Sequence, residues 1–147
     1  MNQQQIFIAA SNAIDFYRMA KRGMLAGMIN IGTPAIVCSE FSAELAMKAI
    51  IYSEGSKCRG HKLIPLMNRL PKDVQSEIED ELSSEWPDYK AQLENCDNAF
   101  VDWRYLHEVE NELFINAKFL LLFSEICCKI AMKRLEIKSN IPIEDIY

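Results

Sequence analysis

Apolar residues in the first third of the chain recur every three or four positions, the spacing of an amphipathic helix. Residues 3–29 follow this pattern, with charged side chains on the other faces. The next helix is predicted to start at Thr33, with Thr33 as its N-cap and Pro34 at its first helical position. This second predicted helix covers residues 35–54, and Gly55 is expected to end it in the left-handed conformation.

The middle of the chain predicts shorter elements. Residues 56–60 are typical of a loop, His61 starts a short helix, and Pro71 stops that helix. Residues 73–84 predict a peripheral helix with acidic outer faces. Its buried stripe repeats every four residues: Val74, Ile78 and Leu82. Residues 88–98 fit either a short helix or an irregular connection.

The last predicted helix covers residues 110–135, and its middle is apolar on nearly every face. Such a helix needs cover on more than one side, either at the centre of the fold or from a second copy, so we expect a homodimer. Lys118, Glu125 and Lys129 interrupt the apolar run, so no membrane span is expected. Residues 141–147 form a short tail. The pattern as a whole predicts an all-α, up-and-down helical bundle of about five helices, with residues 1–147 as one domain.

Half of the 147 residues are hydrophobic and a quarter are charged, which excludes a disordered or fibrous chain. The five cysteines have no C-x-x-C spacing, and with only two histidines they fit no zinc template. No metal or other cofactor is therefore expected, and the cysteines are interpreted as buried thiols in a reducing cytoplasm. The N-terminus lacks the basic region of a signal peptide, so a cytoplasmic location is expected.

The net charge of −5 is concentrated in one segment. Residues 76–97 carry eight acids and one base, whereas the rest of the chain carries 13 acids and 15 bases. Surfaces outside the acidic segment are therefore compatible with phosphate groups, and the overall charge does not exclude RNA as a partner.

Three short segments follow one another in the order FSAELAMKAIIYSEG (residues 41–55), RGHKLIPLMNRL (residues 59–70) and FVDWRYLHE (residues 100–108). In this order and spacing they resemble the HEPN domain, a small α-helical family of ribonucleases, toxin–antitoxin proteins and nucleotide-binding proteins. The resemblance covers residues 35–135. It implies a helical bundle, a homodimer, and a role in RNA cleavage, in toxin–antitoxin or antiviral defence systems, or in nucleotide binding.

Arg104 and His107 are the candidate catalytic residues that this resemblance implies. The family's ribonucleases separate Arg and His by four to six residues, whereas only two residues separate this pair. Metal-independent RNA cleavage needs a group that accepts the 2′-OH proton and a cation that stabilises the phosphorane. At i, i+3 on one helix the two side chains would share a face. A structural interpretation stays open. Arg104 would pair with a carboxylate, either Glu44, which is the better candidate, or Asp102, and His107 would form a local hydrogen bond.

Candidate RNA- or nucleotide-binding residues lie on the second predicted helix and just after it: Glu44, Lys48, Lys57, Arg59, His61 and Lys62. His61 with its basic neighbours would contact phosphate, or its ring would serve the turn at the helix start. Glu44 and Lys48 predict an intrahelical ion pair, unless Glu44 binds Arg104. Four aromatic residues could stack on bases but are more typical of a core: Trp86, Phe100, Trp103 and Tyr105.

Because no Arg and His in this chain have the four-to-six-residue spacing of the family's ribonucleases, the sequence favours a non-catalytic or weakly catalytic module. Its expected partner is RNA, a nucleotide, or a protein such as a nucleotidyltransferase-like subunit, with no membrane partner. The alternative is a metal-independent endoribonuclease that uses Arg104 and His107 across a homodimer.

Overall fold

The computed structural model describes residues 1–26, 28–105, 107 and 116–137, including their side chains except those of residues 26–32. Within these ranges all regular structure is helical, which confirms the all-α prediction. The helices are α1 (Gln3–Ala26), α2 (Met28–Ser53), α3 (Leu63–Arg69), α4 (Lys72–Glu85), α5 (Tyr89–Cys96), α6 (Ala99–Arg104) and α7 (Ala117–Arg134).

The long helix α2 lies at the centre and packs against α1, α3, α6 and α7. It runs antiparallel to α1, because the Ser42 hydroxyl donates to the Ala13 carbonyl (2.7 Å) while Phe41 packs against Phe16. Small polar side chains let α2 approach α7 closely: the Ser39 and Ser124 hydroxyl oxygens lie 3.2 Å apart in the interior. One core cluster takes residues from all seven helices.

The predicted break at Thr33 and Pro34 is wrong, because α2 begins at Met28 and carries Pro34 inside it. A proline within a helix lacks one N–H donor and crowds the preceding turn, at a cost of about 3 kcal/mol. Packing outweighs that cost, since Ala35 and Ile36 directly after Pro34 are buried. The predicted end of the helix is confirmed, because Gly55 adopts a φ of +83° just after α2 ends.

The last helix is shorter than predicted. Asn116 has an extended backbone and caps α7, its side chain accepting a hydrogen bond from the Phe119 N–H (3.1 Å). Residues 110–115 of the predicted helix, and the predicted tail at residues 141–147, lie outside the described residues. The buried residues of α7 are covered within one chain by α1, α2 and α4, so the apolar character of this helix does not itself require a second copy.

The peripheral helix matches its prediction closely. α4 covers residues 72–85, and its stripe of Val74, Ile78 and Leu82 is fully buried. The segment 88–98, left open by the sequence, contains α5. Trp86, between these helices, packs edge-on against Phe119 of α7 with ring centroids 5.7 Å apart.

Candidate functional site

Two carboxylates are buried one helical turn apart on α2. Glu44 is 1% exposed, and its Oε1 accepts a hydrogen bond from Lys48 Nζ at 2.7 Å and lies 2.9 Å from His61 Nδ1. Lys48 and His61 therefore meet at the same oxygen of Glu44. The predicted Glu44–Lys48 pair is thus confirmed, and the ring of His61 is oriented by Glu44 rather than by the turn before α3.

Glu40 is fully buried, yet neither of its carboxyl oxygens has a hydrogen-bond partner among the described residues. Burial raises the pKa of Glu40 to about 10, and the nearby charge of Glu44 raises it further, while Lys48 and Arg104 oppose the shift. Glu40 is therefore neutral near pH 7. The two acids share a helix face but differ in their partners, because only Glu44 has hydrogen-bonding side chains within reach.

Three phenylalanine rings from α1, α2 and α6 stack beside these acids. The ring of Phe100 lies 4.7 Å from that of Phe41, which in turn contacts Phe16 at 4.8 Å. On Phe100 sit the ring of His61, at 4.7 Å between centroids, and the guanidinium of Arg104, at 4.2 Å from its carbon to the ring centroid. The stack therefore brings His61 and Arg104, which are 43 residues apart in the sequence, to one place.

The loop between α2 and α3 is held by its backbone, which leaves its basic side chains in solvent. The Tyr52 hydroxyl donates to the Cys58 carbonyl (2.8 Å), and the guanidinium of Arg69 donates to the Lys57 carbonyl. At the far end, Asp97 caps α3: the Leu63 N–H donates to its carbonyl (3.1 Å) and the Ile64 N–H to its carboxylate (2.7 Å).

The predicted bond between Arg104 and Glu44 is absent from the described residues. Lys48 and His61 both contact Oε1 of Glu44, while its Oε2 has no hydrogen-bond partner among the described residues. The exposed Arg104 instead lies over Phe100 and 5.0 Å from the centroid of Tyr105. The shared helical face expected for Arg104 and His107 is also wrong, because α6 ends at Arg104. Both side chains are exposed.

The structure joins only some of the predicted site residues. His61 and Arg104 meet on the ring of Phe100, and His61 also contacts Glu44, the partner of Lys48. Lys57, Arg59 and Lys62 lie on the exposed loop next to His61. Sequence reasoning missed the burial of Glu40 and the capping role of Asp97. The only signal for Glu40 was its position one turn before Glu44.

The other predicted aromatic residues are mostly structural. Phe100 is 8% exposed, and Trp86 and Trp103 are partly buried against the core, while Tyr105 is 44% exposed. The cysteines are unpaired, four of them buried and Cys38 half-buried. Burial raises the pKa of Cys96 and Cys128 to about 12, so neither is a reactive thiolate near neutral pH.

Among the described residues, no group of three or more His, Cys, Asp or Glu side chains is placed to hold a metal ion. Within the same part of the chain, no helix combines the length and apolar character needed to cross a bilayer. No protein-family model, curated protein or solved structure matches this chain.

Proposed function

We propose that the chain is a HEPN-like module, non-catalytic or weakly catalytic, that binds RNA through one basic surface. We define the basic surface as Lys57, Arg59, His61, Lys62 and Arg104. The observation that carries the proposal is that its lysines and arginines are exposed and form no ion pair with any described carboxylate. Unpaired cations on a fixed loop attract phosphate and release counterions when they bind it.

Three acids around this loop each contact other groups and form no ion pair with the lysines and arginines of the loop. Glu54 pairs with Arg134 at 2.7 Å, Asp97 caps α3, and Glu44 is buried against Lys48 and His61. The loop 57–62 itself contains three basic residues, one histidine and no acid. A positive surface is thereby preserved on a chain whose net charge is −5.

An RNA strand fits this surface better than a single nucleotide does. The basic side chains follow the loop from Lys57 to Lys62, and His61 is joined through Phe100 to Arg104, which offers positions for several successive phosphates. Tyr105 exposes an aromatic ring next to Arg104, and such rings stack on unpaired bases. The unpaired thiols suit a reducing compartment such as the cytoplasm, where RNA is available.

The second candidate is the metal-independent endoribonuclease. Arg104 and His107 are both exposed directly at and after the end of α6, so both are accessible to a phosphodiester. Cleavage would still need the pair to be completed across a homodimer, because the two residues do not share a helical face.

The test compares two triple variants of equal charge by fluorescence anisotropy with a labelled, unstructured RNA of about 20 nucleotides. Lys57→Ala/Arg59→Ala/Lys62→Ala removes the loop cations, and the matched control Lys72→Ala/Lys90→Ala/Lys133→Ala removes three exposed lysines elsewhere. We expect the loop variant to lose about 10-fold or more in affinity and to show a slope against salt that is smaller by about 2. The control should bind like the natural chain.

Equal losses in both variants, or no binding by the natural chain, would overturn the RNA proposal. Product analysis on a denaturing gel addresses the second candidate in the same samples. Cleavage that disappears in His107→Ala would establish the endoribonuclease.

A further inference from the structure

A cleft of about 240 Å³ lies between α3, α4 and α5, and we call it the α3–α5 cleft. Its most buried lining residues are apolar: Met67 and Leu93 are 6% and 5% exposed, and Ile64 and Tyr89 are partly buried beside them. The cleft contains no residue of the basic surface, so it is a separate feature of the molecule.

The size of the α3–α5 cleft suits one inserted side chain better than a free small molecule. Pockets that bury drug-sized ligands have volumes of roughly 300–1,000 Å³, and this cleft is smaller. A cavity of about 150 Å³ already accepts a benzene-sized group, so the cleft has room for one large apolar side chain. Apolar anchors that fill such pockets contribute most of the affinity at protein interfaces.

The rim of the cleft carries polar groups that the fold does not use. The side-chain amide of Asn68 and the hydroxyl of Tyr89 form no hydrogen bond with another described residue. An amide side chain donates to a peptide carbonyl and accepts from a peptide N–H. These two groups therefore suit the backbone of an extended peptide.

Charge defines the chemistry of the occupant. Glu79 and Glu94 line the cleft, and neither forms an ion pair with a described cation. Residues 76–97, which supply five of the eight lining residues, carry eight acids and one base, Lys90. Such a surface repels phosphate and attracts cations, so RNA is disfavoured here, and lysine and arginine side chains are favoured.

We propose that the α3–α5 cleft binds a basic, extended segment of a partner protein. One large apolar side chain of that segment enters the cleft beside Met67 and Leu93, and lysine or arginine side chains on either side of it pair with Glu79 and Glu94. These ion pairs lie at an exposed rim, so they orient the segment, while the apolar anchor supplies most of the affinity. The proposal is measured without RNA, and its failure would leave the RNA proposal untouched.

Fluorescence anisotropy of three labelled peptides with the full chain at low salt tests the chemistry of the occupant. The probe GKRLRKG has one leucine between four basic residues, GKRSRKG keeps the charge without the anchor, and GEDLDEG keeps the anchor with the opposite charge. We expect GKRLRKG to bind, GKRSRKG to bind about 10-fold more weakly, and GEDLDEG not to bind. Equal binding of the two basic peptides, or no binding of GKRLRKG at roughly 1 mM protein, would overturn the proposal.

Two double variants of equal charge test where GKRLRKG binds. Glu79→Gln/Glu94→Gln removes the carboxylates of the rim and should weaken binding about 5-fold. The matched control Glu81→Gln/Glu85→Gln removes two exposed acids of α4 that face α7, and it should bind like the natural chain. Equal losses in both variants would show attraction to the acidic segment as a whole and would overturn the proposal.

Lys90 provides a test in the opposite sense. Lys90→Glu replaces the one cation of the rim with a carboxylate and should tighten the binding of GKRLRKG about 3-fold. The matched control Lys72→Glu, at an exposed position at the start of α4, should have a smaller effect. An equal or larger gain in Lys72→Glu would contradict binding at the cleft.

A second copy of the chain is the competing occupant, because its loop 57–62 is also basic. Light scattering of the natural chain and of Glu79→Gln/Glu94→Gln separates the two cases, and we expect the same mass for both proteins. An oligomer of the natural chain that this double variant abolishes would assign the cleft to a second copy and overturn the proposal. Circular dichroism of each variant verifies that the helices are still folded.

Discussion

On one side of the core, α4 packs against α7 through Val74, Ile78 and Leu82, which are fully buried and apolar. On the other side, α2 faces α6 and the loop before α3 with Glu40 and Glu44, which are buried to the same degree. The first contact is stabilised by the removal of apolar surface from water, and its side chains need no hydrogen-bond partners. The second contact is stabilised only where its polar atoms find partners. Oε1 of Glu44 has two partners, whereas Oε2 of Glu44 and both carboxyl oxygens of Glu40 have none among the described residues.

This difference explains where chemistry is concentrated in the molecule. The apolar contact depends on volume alone, so it tolerates similar side chains and carries no charge. The polar contact fixes the orientation of His61 and holds a proton on Glu40, next to exposed cations on the loop and on α6. A site that recognises phosphate is therefore expected on this side and not at the α4–α7 contact.

The largest expected effect comes from removing Glu44. Glu44→Ala strands Lys48, which is only 17% exposed, and releases His61, so we expect the free energy of unfolding to fall by about 3–5 kcal/mol. Ile78→Ala on the apolar side should cost about 2–5 kcal/mol through the cavity that it leaves. Chemical denaturation of both variants checks the comparison.

A double variant separates the polar contact from the apolar contact further. Lys48→Ala should recover part of the loss when it is combined with Glu44→Ala, because no unpaired buried charge then remains. A loss below about 1 kcal/mol in Glu44→Ala would show that the buried pair behaves like a surface pair.

A smaller, pH-dependent effect is expected at Glu40. Burial raises the pKa of Glu40 in the folded chain to about 10, against an ordinary value of 4.5, so the folded state keeps a proton that the unfolded state loses. The stability contributed by the neutral carboxyl is complete below about pH 4.5 and is lost as the pH rises towards 10. Glu40→Gln stays neutral at every pH, so it should match the natural chain near pH 4.5 and exceed it by about 2 kcal/mol at pH 6, a difference that keeps growing towards pH 8.

Denaturation curves of both proteins at several pH values between these limits check this expectation. The isosteric change Glu44→Gln is the control, and it should destabilise the chain at pH 8 because it weakens the contacts to Lys48 and His61. A Glu40→Gln difference that does not grow with pH would mean that Glu40 is ionised in the folded state.

The two sides also differ in how well the sequence predicts them. The stripe on α4 was predictable because apolar residues at a strict four-residue spacing, set among acids, leave only one face to bury. Glu40 and Glu44 were not, because α2 carries small residues such as Ala43 and Ser42 on its other faces, so no single face is marked as the core. The pairing of Glu44 with His61 depends on a loop conformation that the spacing of the residues does not encode.

Tertiary packing explains the remaining differences. Pro34 indicated a helix start on local grounds, but the contact of α2 with α1 continues the helix through it. Asn116 lies in a segment whose pattern is helical, and its capping hydrogen bond to Phe119 shows where α7 begins. The stack of Phe100 with His61 and Arg104 joins residues that are far apart in the sequence, and no local pattern marks such a contact.

The smallest effect on stability is expected at Arg104. Its guanidinium is exposed and lies over Phe100 without a carboxylate partner among the described residues, and a cation–π contact at such a site contributes about 0.5–1 kcal/mol. Arg104→Ala should therefore lower the melting temperature by no more than about 5 °C. RNA affinity should fall clearly in the same variant, because the cation at one end of the basic surface is lost.

Arg104→Lys sharpens this last prediction, because it keeps the charge but loses the planar group that covers Phe100. If phosphate attraction is what Arg104 supplies, the lysine variant should keep most of the RNA affinity that the alanine variant loses. If stacking on a base matters instead, both variants should lose affinity alike. A fall in melting temperature of more than about 10 °C in Arg104→Ala would contradict the exposed position of Arg104, since a cation–π contact at the surface contributes too little to produce it.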